Sequence, residues 1–145
     1  MAEVNRSAAV VLLPTTDDWC KQDFPHTTLV YLGDSVNLKS FQLSEILKVA
    51  YRVSLIVDPL WLKVFGVELF GENKEVDVLR LVSTPQLLAV RGFFEEWDDG
   101  SFPDFKPHAT IGPAFSRDEN IPMALLFDRI CVWWGDEKTI FWFRQ

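Results

Sequence analysis

Two short stretches of the chain repeat one pattern, and they contain both of its histidines. The stretches are residues 25–29 and 107–111. In each, a proline precedes the histidine, a threonine follows the histidine two places later, and a branched aliphatic residue comes next. An internal repeat of this kind indicates a chain built from two related halves. Each stretch is rich in β-branched residues and is bounded by proline and glycine, which predicts a strand.

Alternation along a strand determines which side chains of the repeat share a face. Residues two apart point to the same side, about 6.6–6.8 Å along the strand. His26 is therefore expected to share a face with Thr28 and Val30. In the second stretch, His108 is expected to share a face with Thr110. The other residues of the first strand are expected to point away: Thr27, Leu29 and Tyr31.

An imidazole and a hydroxyl on each of two neighbouring strands suit the hydrolysis of a phosphodiester without a metal. One neutral histidine can take a proton from water or from a ribose 2′-hydroxyl, while the other, protonated, gives a proton to the leaving oxygen. The two hydroxyls can donate hydrogen bonds to the phosphoryl oxygens, where negative charge grows. An unperturbed histidine pKa of about 6.5 suits both roles, so the sequence does not decide which histidine is the acid.

Composition and charge limit the class of protein. The 145 residues, 48% apolar and 14% aromatic, predict one compact domain spanning residues 1–145. A net charge of −7 argues against a non-specific grip on long DNA, although it permits a small phosphate ligand in a local pocket. Cys20 and Cys131 form no disulfide framework, which predicts reduced thiols in a cytoplasmic protein.

Metal and membrane sites are not expected. Two cysteines and two histidines scattered along the chain lack the spacing of a zinc site. The apolar run at residues 8–13 is too short for a targeting segment, and no run approaches the length of a membrane span. No cofactor is expected.

Hydrophobic patterning predicts an order of strands and helices. Strands are predicted at residues 8–13, 26–32, 54–57, 60–70, 78–82, 107–111, 124–134 and 138–143, and helices at 38–52 and 85–97. Thr84 and Pro85 suit the cap and the first position of the second helix. Residues 116–120 are polar, and the last two strands predict a hairpin. This order favours an α+β domain with two similar lobes.

The two motifs also carry a family resemblance. His26-Thr27-Thr28-Leu29 and His108-Ala109-Thr110-Ile111 resemble the paired histidine motifs of the 2H phosphoesterase superfamily, which includes the LigT-like RNA cyclic phosphodiesterases. Residues 57–71 and the closing hairpin match the layout of that family, so the resemblance covers most of the chain. One departure is Thr27, where the family usually has an apolar residue. Since Thr27 is on the far face, a small packing cost is expected and no loss of chemistry.

The resemblance implies a fold and an activity. The fold is a single bilobal α+β domain with a pseudo-two-fold axis, antiparallel sheets lining a central cleft, and helices outside. The activity is metal-independent hydrolysis of a 2′,3′-cyclic phosphate, a 2′–5′ linkage or a cyclic di- or oligonucleotide. His26 and His108 would be the acid and base, and Thr28 and Thr110 would bind phosphate.

The length of the chain resembles that of the compact bacterial and viral members of the family. Some viral members destroy cyclic oligonucleotides that bacteria use as antiviral alarm signals. The resemblance allows that role here, but no residue singles it out.

Three flanking residues are candidates for substrate binding. Lys106 would share the face of His108 if the strand began that early, and an exposed loop lysine is the competing interpretation. Trp19 and Phe24 lie in the loop before the first motif and could stack on a base. Packing in the core is the commoner role of such aromatic residues.

A second hypothesis is that the cleft binds a ligand without catalysing a reaction. The chain would then be a protein that binds a nucleotide or cyclic nucleotide without turnover. On either hypothesis the expected partner is a small nucleotide or oligonucleotide, with no long DNA and no membrane; the oligomeric state is left open. Both hypotheses require the two imidazoles to face one cleft.

Overall fold

A computed structural model gives the fold of the chain over residues 7–116 and 120–144. These residues form seven strands and two α-helices, and every strand pair is antiparallel. The elements are β1 (Ser7–Pro14), β2 (Thr27–Asp34), α1 (Ser40–Ile56), β3 (Leu60–Phe70), β4 (Val76–Leu81), α2 (Pro85–Gly92), β5 (His108–Pro113), β6 (Ala124–Trp134) and β7 (Glu137–Trp142). The α+β class expected from the sequence is confirmed.

The sheet curves so that its two histidine strands meet. Its strand order is β2-β1-β6-β3-β4-β5, with β7 paired to β6. β2 and β5 lie at opposite ends of this order, yet they contact each other. Loops bond to their outer edges: the amide of Asp99 donates to the carbonyl of Tyr31 at 2.9 Å, and that of Lys21 donates to the carbonyl of Ile111 at 2.7 Å. Edges covered in this way do not present rows of unpaired backbone groups.

The main hydrophobic core lies between one face of the sheet and the helices. The helices contribute Ile46, Ala50, Val53, Leu87 and Val90. The strands contribute among others Val10, Leu12, Val30, Leu62, Leu79, Ile111 and Phe127. A smaller cluster comes from β1 and β6: Ala9, Val11, Leu13 and Cys131, packed against Phe24, Tyr31 and Trp133. The helices thus cover one face of the sheet, and the smaller cluster supports the face that carries the histidines.

The first helix is longer than the sequence pattern indicated. α1 runs to Ile56, so residues 54–57, predicted as a strand, are its last turn and its C-cap. The residues that α1 buries continue one stripe at helical spacing through that turn: Ile46, Ala50, Val53 and Ser54. The helix stops before Pro59, which disfavours helical conformation in the residue that precedes it. Neither α-helix of the described residues is long and apolar enough to span a membrane.

The second helix begins as predicted and ends early. The Thr84 hydroxyl accepts a hydrogen bond from the amide of Leu87 at 3.1 Å, which confirms the cap. α2 ends at Gly92, a poor helix former, and a short 3₁₀ helix at Glu95–Trp97 follows. The closing hairpin is confirmed by the pairing of β6 with β7. The polar segment predicted at 116–120 lies outside the described residues except for Ser116 and Asn120.

Two bulges in β2 change which residues face the cleft. Leu29 and Leu32 have no opposite residue in the pairing with β1, and each such insertion resets the alternation of the strand. Val30, predicted to lie beside Thr28, is 1% exposed in the main core. Tyr31, predicted on the far face, lines the cleft together with Thr28. Alternation therefore holds up to Leu29, which is buried in the main core as expected, and fails at Val30 and Tyr31.

Candidate active site

The structure brings the two motifs together in one cleft. Thr28, His108 and Thr110 line a cavity of about 270 Å³. His26 lines an adjoining depression that shares Thr28 and Tyr31 with this cavity. The imidazoles are close enough for the charge on His108 to lower the pKa of His26. Three side chains of the repeat thus line one cavity, and the fourth, His26, lines the depression that adjoins it at Thr28.

Each imidazole is held by the backbone in the same way. Nδ1 of His26 lies 2.7 Å from the carbonyl oxygen of Phe24, and Nδ1 of His108 lies 2.8 Å from that of Lys106. A carbonyl can only accept, so the proton of the neutral ring is on Nδ1 in both cases. This tautomer leaves Nε2 of each ring to exchange protons with a ligand.

Burial lowers the pKa of both histidines below the ordinary 6.5. Desolvation is the largest cause in each case, because a buried ring loses the water that would stabilise its charge. The carbonyls on Nδ1 act in the opposite direction. Lys138 further lowers the pKa of His26, and Arg80 that of His108. Both rings are therefore mostly neutral at pH 7, and a bound phosphate anion would favour protonation.

An aromatic wall and a lysine lie beside His26. Its ring meets that of Trp133 edge to face, with 5.2 Å between centroids. Phe24 meets Trp133 in the same manner at 5.1 Å. Nζ of Lys138 lies 4.7 Å from the centroid of Phe24 and 4.8 Å from that of Trp133. The two rings hold this ammonium near His26 by cation–π contact.

His108 has a corresponding wall and an arginine. Its ring lies 4.7 Å from that of Phe70. Arg80 is the residue opposite His108 in the pairing of β4 with β5, and its guanidinium lies 5.5 Å from the centroid of Phe70. Nη1 of Arg80 also donates to Glu68 at 2.9 Å. Each histidine is thus flanked by an aromatic ring and a cation.

The threonines of the repeat differ in what their hydroxyls can reach. Thr28 and Thr110 are half-buried, and neither hydroxyl has a hydrogen-bond partner within residues 7–116 and 120–144, so both can bind a ligand. Thr27 is fully buried, and its Oγ1 likewise has no partner in the described structure. A buried hydroxyl without a partner is destabilising, in line with the packing cost expected at this position.

Comparison with solved structures shows the same fold elsewhere, whereas no family model and no curated protein matches the sequence. E. coli LigT complexed with phosphate matches with a TM-score of 0.58 at 13% identity, over 98% of this chain and 96% of that one. TT0787 of Thermus thermophilus matches at 0.62 and 12%, over 96% and 100%. The chain has the 2H phosphoesterase fold. A structure described as a phosphoesterase matches at 0.59 and 12% identity, over 96% of both chains. Further E. coli LigT structures with this fold contain 3′-AMP, ATP or NADP+.

The flanking candidates occupy different places in the 2H phosphoesterase fold. Trp19 is 1% exposed in the main core, and its Nε1 donates to the carbonyl of Thr16 at 2.9 Å. It cannot stack on a base, so the expectation that it binds substrate is wrong. Phe24 packs on Trp133 beside His26, and Lys106 lines the cavity although β5 begins only at His108.

Arg91 is a residue of the site that sequence reasoning missed. It lines the cavity from α2, and its Nε donates to the carbonyl of Leu29 at 3.0 Å. Leu29 is one of the bulged residues of β2, so Arg91 binds a carbonyl that the sheet leaves unpaired directly after Thr28. No local pattern marks this contact, because the two residues are 62 positions apart.

Several aromatic residues and a lysine of the site were also missed. They are Tyr31, Phe70, Phe102, Phe105, Trp133 and Lys138. Trp133 and Lys138 are opposite each other in the closing hairpin, where an apolar run reads as ordinary core. Across the described residues there is no group of three or more histidine, cysteine, aspartate or glutamate side chains that could hold a metal ion.

Proposed function

We propose that this protein is a metal-independent phosphodiesterase of the 2H type that hydrolyses a small nucleotide phosphodiester. One observation carries the proposal: at the start of each of two strands, directly before β2 and as the first residue of β5, a histidine has its Nδ1 held by the carbonyl two residues earlier, beside a threonine in the same cleft. E. coli LigT, which shares the fold, has been crystallised with phosphate and with 3′-AMP. These ligands support a nucleotide as the bound molecule.

The two imidazoles divide the proton transfers of hydrolysis. The neutral histidine accepts a proton from water on Nε2 as the water oxygen forms a bond to phosphorus. The protonated histidine gives its Nε2 proton to the ribose oxygen as the phosphorus–oxygen bond breaks and its electrons pass to that oxygen. The hydroxyls of Thr28 and Thr110 donate to the non-bridging phosphoryl oxygens, where charge accumulates. After the reaction the histidine that acted as base is protonated and the one that acted as acid is neutral. Proton exchange with the solvent restores the starting state.

Local charge and size support a small substrate. Although the chain has a net charge of −7, Arg80 and Lys138 flank the histidines, and Lys106 and Arg91 line the cavity. The cavity of about 270 Å³ is slightly smaller than most small-molecule sites, which span roughly 300–1,000 Å³. A 2′,3′-cyclic nucleotide, a 2′–5′ linkage or one segment of a cyclic oligonucleotide are the substrates we propose. The viral role and the cytoplasmic location remain predictions.

Cleavage in the presence of EDTA tests the proposal. The purified protein is incubated with 2′,3′-cyclic mononucleotides, 2′–5′ dinucleotides and cyclic di- and trinucleotides, and the products are separated by chromatography. We expect cleavage of at least one class, and its loss in His26→Ala and His108→Ala. Thr139→Val, on the exposed strand β7, is the control and should keep full activity. Tight binding without turnover of any substrate would contradict the proposal and favour a nucleotide-binding protein.

A further inference from the structure

The cavity extends beyond the groups that the proposed reaction uses. From His108 and Thr110 it continues to the loop between the Glu95–Trp97 turn and β5. Its walls in this part are aromatic: Tyr31, Phe70, Phe102 and Phe105. Two carboxylates, Asp98 and Asp104, line the same space. We call this part the aromatic chamber.

We propose that the aromatic chamber binds the nucleobase of the substrate and favours a base with an exocyclic amino group. This inference rests on the proposed function for the identity of the ligand. The lining of the cavity suits a nucleotide, because an imidazole, hydroxyls and cations can bind its phosphate while aromatic rings can stack on its base. Aromatic rings bind bases by stacking, which is tolerant of sequence because every base has a π-face.

Phe102 is the aromatic residue of the chamber that is best placed to stack on a base. It is 58% exposed, and its centroid lies 4.7 Å from that of Tyr31. Tyr31 belongs to β2 and is backed by the smaller cluster of β1 and β6, so the exposed ring is supported by a rigid element. Phe105 is packed in a different way, under the guanidinium of Arg91 at 4.5 Å.

The carboxylates select against uracil. A carboxylate only accepts hydrogen bonds and repels a phosphate, so its place in this cavity suits the donor groups of a base. Adenine, cytosine and guanine each carry an exocyclic amino donor, whereas uracil offers a carboxylate only its ring N3–H. Asp98 is half-buried, and its Oδ2 accepts from the amide of Gly100 at 3.2 Å, which orients the group. The guanidinium of Arg91, which also lines the cavity, donates hydrogen bonds to the Leu29 carbonyl and the Glu95 carboxylate.

Equilibrium binding of 3′-nucleotides tests the chamber without requiring turnover. Isothermal titration would measure the Kd of 3′-AMP, 3′-CMP, 3′-GMP and 3′-UMP for the wild type and for three variants. We expect 3′-UMP to bind most weakly, and Phe102→Ala to weaken the other three about tenfold. Asp98→Asn should narrow the gap between 3′-UMP and the rest, since an amide can both donate and accept. Phe41→Ala removes a ring of similar exposure, 63%, outside the cavity, and should change nothing.

The outcomes distinguish a failure of base binding in the aromatic chamber from a failure of the proposed phosphodiesterase function. Equal binding of the four nucleotides, with no effect of Phe102→Ala, would overturn the chamber while leaving hydrolysis in EDTA unaffected. The expected binding pattern without hydrolysis of any diester would support the chamber and overturn the phosphodiesterase. Failure of the wild type to bind any of the four would overturn the chamber. Thermal unfolding of each variant shows whether a loss of binding reflects a loss of the fold.

Discussion

The two halves of the site hold their histidines by the same hydrogen bond but place different cations beside them. In both, the imidazole lies at the start of a strand, and its Nδ1 bonds the carbonyl two residues earlier: His26 directly precedes β2, and His108 is the first residue of β5. Beside His26 the cation is Lys138, held on two aromatic rings of the loop and the hairpin. Beside His108 it is Arg80, paired with Glu68 and stacked near Phe70. The repeated motif therefore fixes the tautomers, whereas unrelated elements set the electrostatics; of the two imidazoles, that of His108 lines the cavity that contains the aromatic chamber, and that of His26 lines the adjoining depression.

Removing either imidazole is expected to have the largest effect. General acid and general base catalysis each contribute about 10²–10⁴-fold, so His26→Ala and His108→Ala should each lower kcat by at least that range. Steady-state kinetics with a 2′,3′-cyclic nucleotide in EDTA measures the loss. Circular dichroism of both variants provides the control for folding. A variant that keeps more than a tenth of the wild-type kcat would show that its half of the site does not carry a proton.

Removing a threonine hydroxyl is expected to have a somewhat smaller effect. Thr28→Val and Thr110→Val keep the shape of the side chain and lose the donor to the phosphoryl oxygen. Loss of one such donor costs about 10²–10³ in kcat, with little change in KM. Similar losses in the two variants would show that the halves contribute equally to phosphate binding. A loss confined to one of them would assign the transition-state charge to that half, and Thr139→Val again provides the control.

The pH profile tests the electrostatic difference between the halves. Because the pKa of both histidines lies below 6.5 in the free protein, the protonated acid becomes scarcer as pH rises through neutrality. We expect kcat/KM to follow a bell with its maximum below pH 6.5 and to fall steadily from there to pH 8. Lys138→Met removes a positive charge that lowers the pKa of His26. The variant should therefore have a higher His26 pKa, and the limb of the bell that reports His26 should move to higher pH. An unchanged profile in Lys138→Met would contradict the assigned role of this charge.

The smallest effect is expected at a pair of buried positions that differ between the halves. Thr27 and Ala109 each follow a histidine directly, and both are fully buried. Only Thr27 carries a hydroxyl, and its Oγ1 has no partner in the described structure. Thr27→Val should therefore stabilise the protein by about 1 kcal/mol, which corresponds to an increase of about 3–5 °C in Tm. Calorimetry measures the change, and a lower Tm would show that the hydroxyl is bonded in the native state.

The sequence sufficed for the motifs and for most of the strands, because their signals are local. Two-residue spacing placed His26 beside Thr28 and His108 beside Thr110, and proline and glycine marked where the strands end. The bulges at Leu29 and Leu32 have no such signal, since they depend on the pairing of β2 with β1. Sequence alternation consequently placed Tyr31 on the wrong face.

Contacts distant in sequence account for the other differences. Arg91 reaches the site because its side chain extends from α2 to the carbonyl of Leu29 in β2, and Lys138 because its ammonium lies over the ring of Phe24 in the preceding loop. Trp19 stands in a polar segment, yet the fold buries its ring in the core. Helix α1 extends to Ile56, and its buried stripe reaches Ser54 at helical spacing while Leu55 and Ile56 stay exposed, a pattern that a buried strand would not give.

The central claim is that His26 and His108 act as one acid–base pair without a metal. A double-mutant cycle in EDTA tests it most directly, by comparing kcat/KM of the wild type, His26→Ala, His108→Ala and the double variant on one cleaved substrate. Groups that act as a unit are strongly non-additive, so the double variant should be about as slow as either single variant. Losses that multiply in the double variant would contradict the pair, as would a wild-type activity that EDTA abolishes.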